Sequence, residues 1–247
     1  METWRLITTW GAHPAFNMGR DQALLESSET APTLRFYSWR PDTLSLGYFQ
    51  RFEDVPAASG VDGKRPGVIV RRITGGGAIH HVHELTFSIS APLAHPLYQG
   101  PISASYERVH AALRRALSAV GVESDLRGAR TLDSDIPGTG MCFHHSTSLD
   151  LAWGGRKGVG SAQRRSKGRV LHHGSIKLWT SPFEGRIATV AAHAGELAPE
   201  TFAPFLRAAF ESEFGIVCEA GVPTSAERDA ARELGPRYLS KEFVRKR

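Results

Sequence analysis

Within eleven residues, Arg71-Arg72-Ile73-Thr74-Gly75-Gly76-Gly77-Ala78-Ile79-His80-His81 sets two guanidinium groups and two imidazoles around three consecutive glycines. Glycine has no Cβ, so such a run lets another group pack directly on the backbone, or lets peptide N–H groups converge on one concavity. Arg71 and Arg72 can neutralise an anion beside that concavity, and His81 can hydrogen-bond across it. Neither GxxxxGK[ST] nor GxGxxG followed by a helix is present, so the phosphate-binding signatures are missing, and a flexible hairpin tip is the plain alternative. The two cysteines, Cys142 and Cys218, form no CxxC spacing and no disulfide framework, so each has to be judged alone. His80, His81 and His83, with the pairs His144-His145 and His172-His173, invite a metal reading. Neighbours on a strand face opposite ways, so adjacent histidines rarely chelate together, and no metal site is expected.

The elements that must position these groups are legible in the hydrophobic pattern. Trp4 to Trp10 reads as a strand and Ala15 to Glu29 as a helix opening near Pro14. Leu34–Trp39 and Thr43–Tyr48 read as strands joined by the turn pair Pro41-Asp42; Val68–Arg72 and Leu85–Ser90 are two more, with the glycines between them. Tyr106, Val109, Leu113, Leu117 and Val120 recur at helical steps, which predicts a core helix from about Ser103 to Val120. Leu126 to Thr147 has no period and holds Cys142, and irregular stretches of that length are usually functional or disordered. A hairpin around Gly154-Gly155 and a strand at Val170–Leu178 follow. Phe202, Phe205, Leu206, Ala209, Phe210 and Phe214 make a helical stripe closed by Gly215; Ile216–Glu219 reads as a strand, and Thr224 with Glu227 forms a capping box. Strands and helices mix without strict alternation, so the expected class is α+β, a mixed sheet backed by helices.

A chain of 247 residues with 41% hydrophobic and 22% charged residues can bury one core. The expectation is a single domain over 1–247, with 224–247 as a C-terminal helical extension. No apolar run approaches the roughly 20 residues of a membrane span, and METWRLITTW does not read as a signal peptide, so a soluble, cytoplasmic protein without membrane partner is expected. The net charge of +5 is dispersed except at Arg164-Arg165-Ser166-Lys167-Gly168-Arg169 and Val244-Arg245-Lys246-Arg247. These clusters read either as a solvated face or as docking sites for an acidic partner.

Arg71-Arg72-x-Thr74-Gly75-Gly76-Gly77-Ala78-Ile79-x-His81 followed by Glu84-Leu85-Thr86-Phe87-Ser88 resembles the signature of the lipoate-protein ligase and octanoyltransferase superfamily, whose catalytic domain is related to biotin protein ligases. Asn17–Leu25 is similar to that family's first helix, and Arg35–Trp39 with Ser45–Gln50 to its next strands. Gly155-Arg156-Lys157, Gly160–Arg165 and Leu171-x-His173-Gly174-Ser175-Ile176 resemble its lysine-bearing segment, so the likeness runs in order from about residue 4 to 180. It implies the biotin/lipoate ligase catalytic-domain fold and a narrow slot for an eight-carbon chain, bordered by Arg71, Arg72, Gly75, Gly76, Gly77, His81, Gly160, Ser161 and Ala162. Each buried CH₂ adds roughly 0.8 kcal/mol, so such a chain contributes on the order of 5 kcal/mol before ordering costs.

The superfamily performs two chemistries. A ligase activates free lipoate with ATP and Mg; a transferase needs a cysteine, because a thiolate both attacks a thioester and departs readily. It also needs a cation nearby, since a free thiol of pKa about 8.5 is mostly protonated at neutral pH. Met141-Cys142-Phe143, then Ser148-Leu149-Asp150-Leu151 and Lys157 fifteen residues beyond the cysteine, resemble the LipM type of octanoyltransferase. The likeness implies Cys142 as nucleophile and Lys157 as its cation and later proton acceptor, with the backbone at Gly160 and Ser161 polarising the thioester carbonyl. It implies octanoyl-acyl carrier protein as donor, a lipoyl-domain lysine (such as that of glycine cleavage H protein) as acceptor, no nucleic acid and no cofactor. Two departures stand out: Val82 where the family often has Asp, and Gly158 where a β-branched residue is usual. The first weakens a metal–ATP scheme. The alternatives are an ATP-dependent lipoate ligase and an octanoyl amidotransferase between lipoyl domains. Cys218, in a strand-like segment, reads as structural.

Overall fold

The computed structural model describes residues 1–246 except Pro41, Val61 and Asp62. Pro41 of the expected turn and Arg247 of the basic tail thus lie outside the described residues. The elements are β1 (Glu2–Ala12), α1 (Pro14–Leu25), β2 (Thr33–Trp39), β3 (Thr43–Leu46), α2 (Pro56–Ser59), β4 (Val68–Arg71), β5 (Ile79–His81), β6 (Glu84–Pro92) and α3 (Ile102–Ser118). There follow β7 (Asp125–Leu126), β8 (Leu151–Trp153), β9 (Arg156–Ser166), β10 (Arg169–Lys177), α4 (Ala191–Ala194), α5 (Pro199–Phe214), β11 (Ile216–Ala220), α6 (Ser225–Leu234) and α7 (Lys241–Val244).

The architecture is α+β. An eight-stranded mixed sheet runs β11-β1-β2-β6-β10-β9-β8-β7, and a small sheet runs β4-β3-β5. The pairs β11–β1 and β1–β2 are parallel, and the rest of the large sheet is antiparallel. The two strands expected around Pro41-Asp42 therefore belong to different sheets, and the chain crosses from one to the other there.

Side chains alternate along a strand, and here the two faces differ in kind. Leu34 and Phe36 of β2, Leu85, Phe87 and Ile89 of β6, and Val170 and Ile176 of β10 enter one apolar core. α3 and α5 close that core with Val109, Leu113, Leu117, Phe202, Leu206 and Phe210, each three or four residues from the next on its own helix. Gly215, at φ 63, ends α5 in the left-handed conformation that glycine adopts freely. The intervening residues, among them Arg35, Tyr37, Glu84, Ser88, His173 and Lys177, face the other way, and they are buried as well, under α1 and the small sheet. A polar face under cover must satisfy its own hydrogen bonds, and this one builds the floor of the site.

α1 stops at Leu25, four residues short of the expected end. The Glu26 N–H closes on the Gln22 carbonyl, and the Ser27 hydroxyl then donates to the Glu227 carboxylate (2.8 Å), drawing the chain toward α6. The capping box forms as expected, with Glu227 also taking Arg5 at 2.6 Å. Among the described residues no helix is long and apolar enough to cross a membrane.

Candidate active site

Cys142 opens a single 3₁₀ turn, Cys142–His144, in the irregular stretch before β8. What fixes that turn is the glycine run: Ala78 N–H donates to the Gly140 carbonyl (2.8 Å) and Cys142 N–H to the Ala78 carbonyl (2.7 Å). A Cβ at Gly77 would lie 2.7 Å from Cys142 N and 2.8 Å from its Cα, so the missing side chain is what admits the cysteine loop. Thus Gly77 serves the Cys142 backbone, whereas Gly75 and Gly76 border the cavity.

Lys157 comes from β9, where the β8–β9 register shifts between Leu151 and Ala152, an irregularity of the kind that re-aims a side chain. Its Nζ is buried, 3.5 Å from Cys142 Sγ, and donates to the carbonyls of Cys142 (2.9 Å) and His145 (3.1 Å). Asp150 Oδ2 lies 2.8 Å away. Burial opposes the charged amine, but Cys142 and Asp150 outweigh it, and the Lys157 pKa stands above its ordinary value. The group is an ammonium at neutral pH. Cys142 itself is half-buried and reachable. A Cβ at Gly160 would stand 3.2 Å from Nζ and 3.5 Å from Sγ, so only glycine leaves room there for a reacting carbonyl.

The thiol borders a narrow cavity, also bordered by Arg72, Gly75, Gly76, His81, Gly160, Ser161 and Ala162. Met18, Tyr37, Trp39 and Ile79 supply apolar wall. The polar side chains in its lining are engaged with one another. His81 donates Nδ1–H to Glu84 (2.5 Å), which leaves Nε2 to accept the Ser45 hydroxyl (2.7 Å). Thr86 and Ser175 also donate to Glu84, at 2.7 and 2.6 Å, beside the Lys177 ammonium at 2.8 Å. Burial works against ionised Glu84, yet His81 and Lys177 hold its pKa far below the carboxylate range, while burial keeps His81 neutral. On the other side Asp21 takes His173 Nδ1 (3.2 Å), Tyr37 OH (2.8 Å) and Arg35 (2.8 Å), and His173 Nε2 accepts the Thr74 hydroxyl (2.6 Å). Arg72 caps the carbonyls of Ser45, Gly75 and Gly77. The slot therefore presents little hydrogen-bonding capacity to its contents, and it suits an alkyl chain.

Arg71 goes elsewhere. Its guanidinium points away from the cavity and binds carbonyls of Gly47, Gln50, Phe243 and Val244, tying α7 to β3 and β4. Cys218 is buried in the sheet, and burial pushes its thiol up to about 11. The adjacent histidines diverge: His172 faces Tyr106 and the α3 side, while His173 faces Asp21. Among the described residues no group of three His, Cys, Asp or Glu side chains is placed to hold a metal. Sequence reasoning gave no role to Asp150, Asp21, His173, Glu84 or Lys177. For Glu84, His173 and Lys177 the signal was polar residues alternating with apolar ones along β6 and β10; Asp21 of α1 and Asp150 before β8 carry no such pattern.

Residues 13–185 match the lipoyl protein ligase A/B catalytic domain. The chain belongs to that family. Among its relatives, the octanoyltransferase LipM of Moorella thermoacetica is 43% identical over 180 residues, covering 72% of this chain and 66% of that one. The octanoyltransferase LipM of Kyrpidia tusciae is 32% identical over 98% of both. A lipoate-protein ligase A bound with ATP has the same fold (TM-score 0.76, 24% identity, 99% of each chain). So does a bi-partite lipoate protein ligase of Thermoplasma acidophilum (TM-score 0.76, 21% identity, 99% of this chain and 96% of that one).

Proposed function

We propose that this chain moves an octanoyl group from the thioester of an acyl carrier protein to a lysine of a lipoyl domain, through a thioester on Cys142 and without ATP. That it is an octanoyltransferase of protein lipoylation rests on the relatives named LipM, one of which matches it nearly end to end. The observation that carries the route is a reachable thiol, 3.5 Å from a buried ammonium, at the edge of a slot with its polar groups already paired.

The chemistry balances with these groups alone. Lys157 stabilises the Cys142 thiolate, which attacks the donor carbonyl. As the donor's carbon–sulfur bond breaks, the departing thiolate takes the Lys157 proton and leaves as a thiol. The neutral Lys157 amine then takes a proton from the acceptor lysine, which enters as its free amine, as that nitrogen attacks the Cys142 thioester. The amide forms, Cys142 departs as thiolate, and the ion pair is restored. Asp150, 2.8 Å from Nζ, keeps the ammonium aimed.

Incubation with octanoyl-acyl carrier protein, without nucleotide, should add one octanoyl group by intact mass. Absence of the adduct, or its persistence in Cys142→Ala, overturns the route. An adduct that forms only with ATP and free octanoate would make the chain a ligase.

A further inference from the structure

We infer that His110 is a positioning residue for this site, an imidazole behind the sheet that holds the strand bearing Lys157 against the turn bearing Asp150. The inference rests on the Cys142–Lys157 reading and deepens it.

His110 projects from α3 and is buried. Its Nδ1 lies 2.6 Å from the Leu149 carbonyl, and its Nε2 lies 2.7 Å from Ser161 Oγ. A carbonyl can only accept, so Nδ1 carries the proton and Nε2 accepts the Ser161 hydroxyl. His172 Nε2, 3.2 Å from the same Oγ, must then donate to it, and His172 Nδ1 accepts from Gln163 at 3.2 Å. The network closes with one consistent set of tautomers and with both imidazoles neutral.

Its two anchor points flank the chemistry. Leu149 directly precedes Asp150, whose carboxylate holds the Lys157 ammonium at 2.8 Å. Ser161 directly follows Gly160, where an added Cβ would stand 3.2 Å from Lys157 Nζ and 3.5 Å from Cys142 Sγ. One imidazole therefore links the turn that supplies the carboxylate to the strand that supplies the lysine. The turn's other ties are local or to a neighbouring loop: Thr147 donates twice to Asp150, and Arg127 N–H binds the Asp150 carbonyl. The charged groups facing His110 are Asp150, which favours its protonation, and Lys157, which opposes it; Tyr106 and His172 complete its surroundings. Burial is the largest influence and brings its pKa down to about 4, so the donor–acceptor pattern holds at working pH.

The test uses His110→Phe, His110→Asn and His110→Gln in a Cys218→Ala background, reading iodoacetamide alkylation of Cys142 at pH 7 and pH 10 together with octanoyl-adduct formation. An Asn amide overlays Nδ1 and keeps a donor to Leu149, whereas Gln reaches toward Ser161 and Phe provides neither bond. Displacement of the ammonium by a fraction of an ångström should slow pH 7 alkylation and acylation roughly ten-fold in His110→Phe, with pH 10 alkylation unchanged. His110→Asn, which keeps the bond to Leu149 and loses one neutral hydrogen bond, should stay within about three-fold of the parent. Equal alkylation in all variants overturns the inference, as does an Asn variant as impaired as Gln. If His110→Phe fails to fold, the Asn–Gln difference decides. Alkylation requires no acyl donor, so a parent protein that alkylates normally yet accepts no octanoyl group refutes the transferase reading and leaves this test standing.

Discussion

Replacing each glycine of the triplet by alanine should separate three roles that one motif combines. In Gly77→Ala the new Cβ would meet backbone on both sides, Cys142 N at 2.7 Å, Cys142 Cα at 2.8 Å and Gly140 O at 3.0 Å. Ordinary contact begins near 3.4 Å, so the cysteine loop must retreat by about 0.7 Å. The Cys142 N–H bond to Ala78, now 2.7 Å, would stretch beyond the normal range, and overpacking of this kind costs about 1–3 kcal/mol. A domain of this size loses about 2–4 °C of Tm per kcal/mol, so several degrees are at stake. Since a misplacement of about 1 Å can cost about a hundred-fold in rate, octanoyl-adduct formation should fall roughly ten- to a hundred-fold. Gly75→Ala is the control, because its Cβ would meet only the Phe49 ring, at an ordinary 3.7 Å. It should keep the parent Tm and react within a few-fold. Gly76→Ala lies between: φ is 91, unfavourable for alanine, and the nearest atom is the movable end of Arg72 at 2.9 Å. Thermal melts and timed intact-mass spectra read all three. Wild-type acylation by Gly77→Ala, or an equal loss in Gly75→Ala, would refute the reasoning.

Two further outcomes follow from the buried charges. Lys157→Met leaves Asp150 buried without its cation, which should lower stability by about 3–5 kcal/mol by urea titration; adding Asp150→Asn should restore most of that while acylation stays lost. Recovery of both, or of neither, contradicts the assigned roles. His110 has its pKa depressed from 6.5 to about 4, so its stabilising contribution is whole above about pH 6.5 and is lost as pH falls toward 4, amounting to about 3 kcal/mol. Burial likewise depresses the pKa of His80, His81 and His172, which adds in the same direction. The urea midpoint should therefore drop between pH 7 and pH 4.5, and less steeply in His110→Asn.

Local pattern carried the four long helices and most strands, because each depends on residues a few positions apart. The glycine run and the cysteine loop were visible as motifs, and Cys142 and Lys157 meet as the family likeness implied. Arg71 and Arg72 show where local reading stops. Adjacent in sequence, both suit an anion, yet neighbours at a strand's end diverge, and Arg71 turns to the carbonyls around α7 while Arg72 caps the glycine loop. Asp21 with His173, and Glu84 with Lys177, pair across 152 and 93 residues of chain, and nothing local announces such partners. Asp150 stands in a sequence motif, but its approach to Lys157 depends on the β8–β9 irregularity, which only the register reveals.

The two buried faces of the large sheet bear on how the chain finds its fold. In a strand with one wet face, a slip of one residue swaps apolar for polar on a single side; β2 has no wet face to absorb the error. Slipped by one, it would drive Arg35 into the aromatic core without Asp21, and set Leu34 and Phe36 against a carboxylate and an imidazole. The hydrogen bonds that empty the slot of polarity thus act, during assembly, as a key that admits one alignment of the strands.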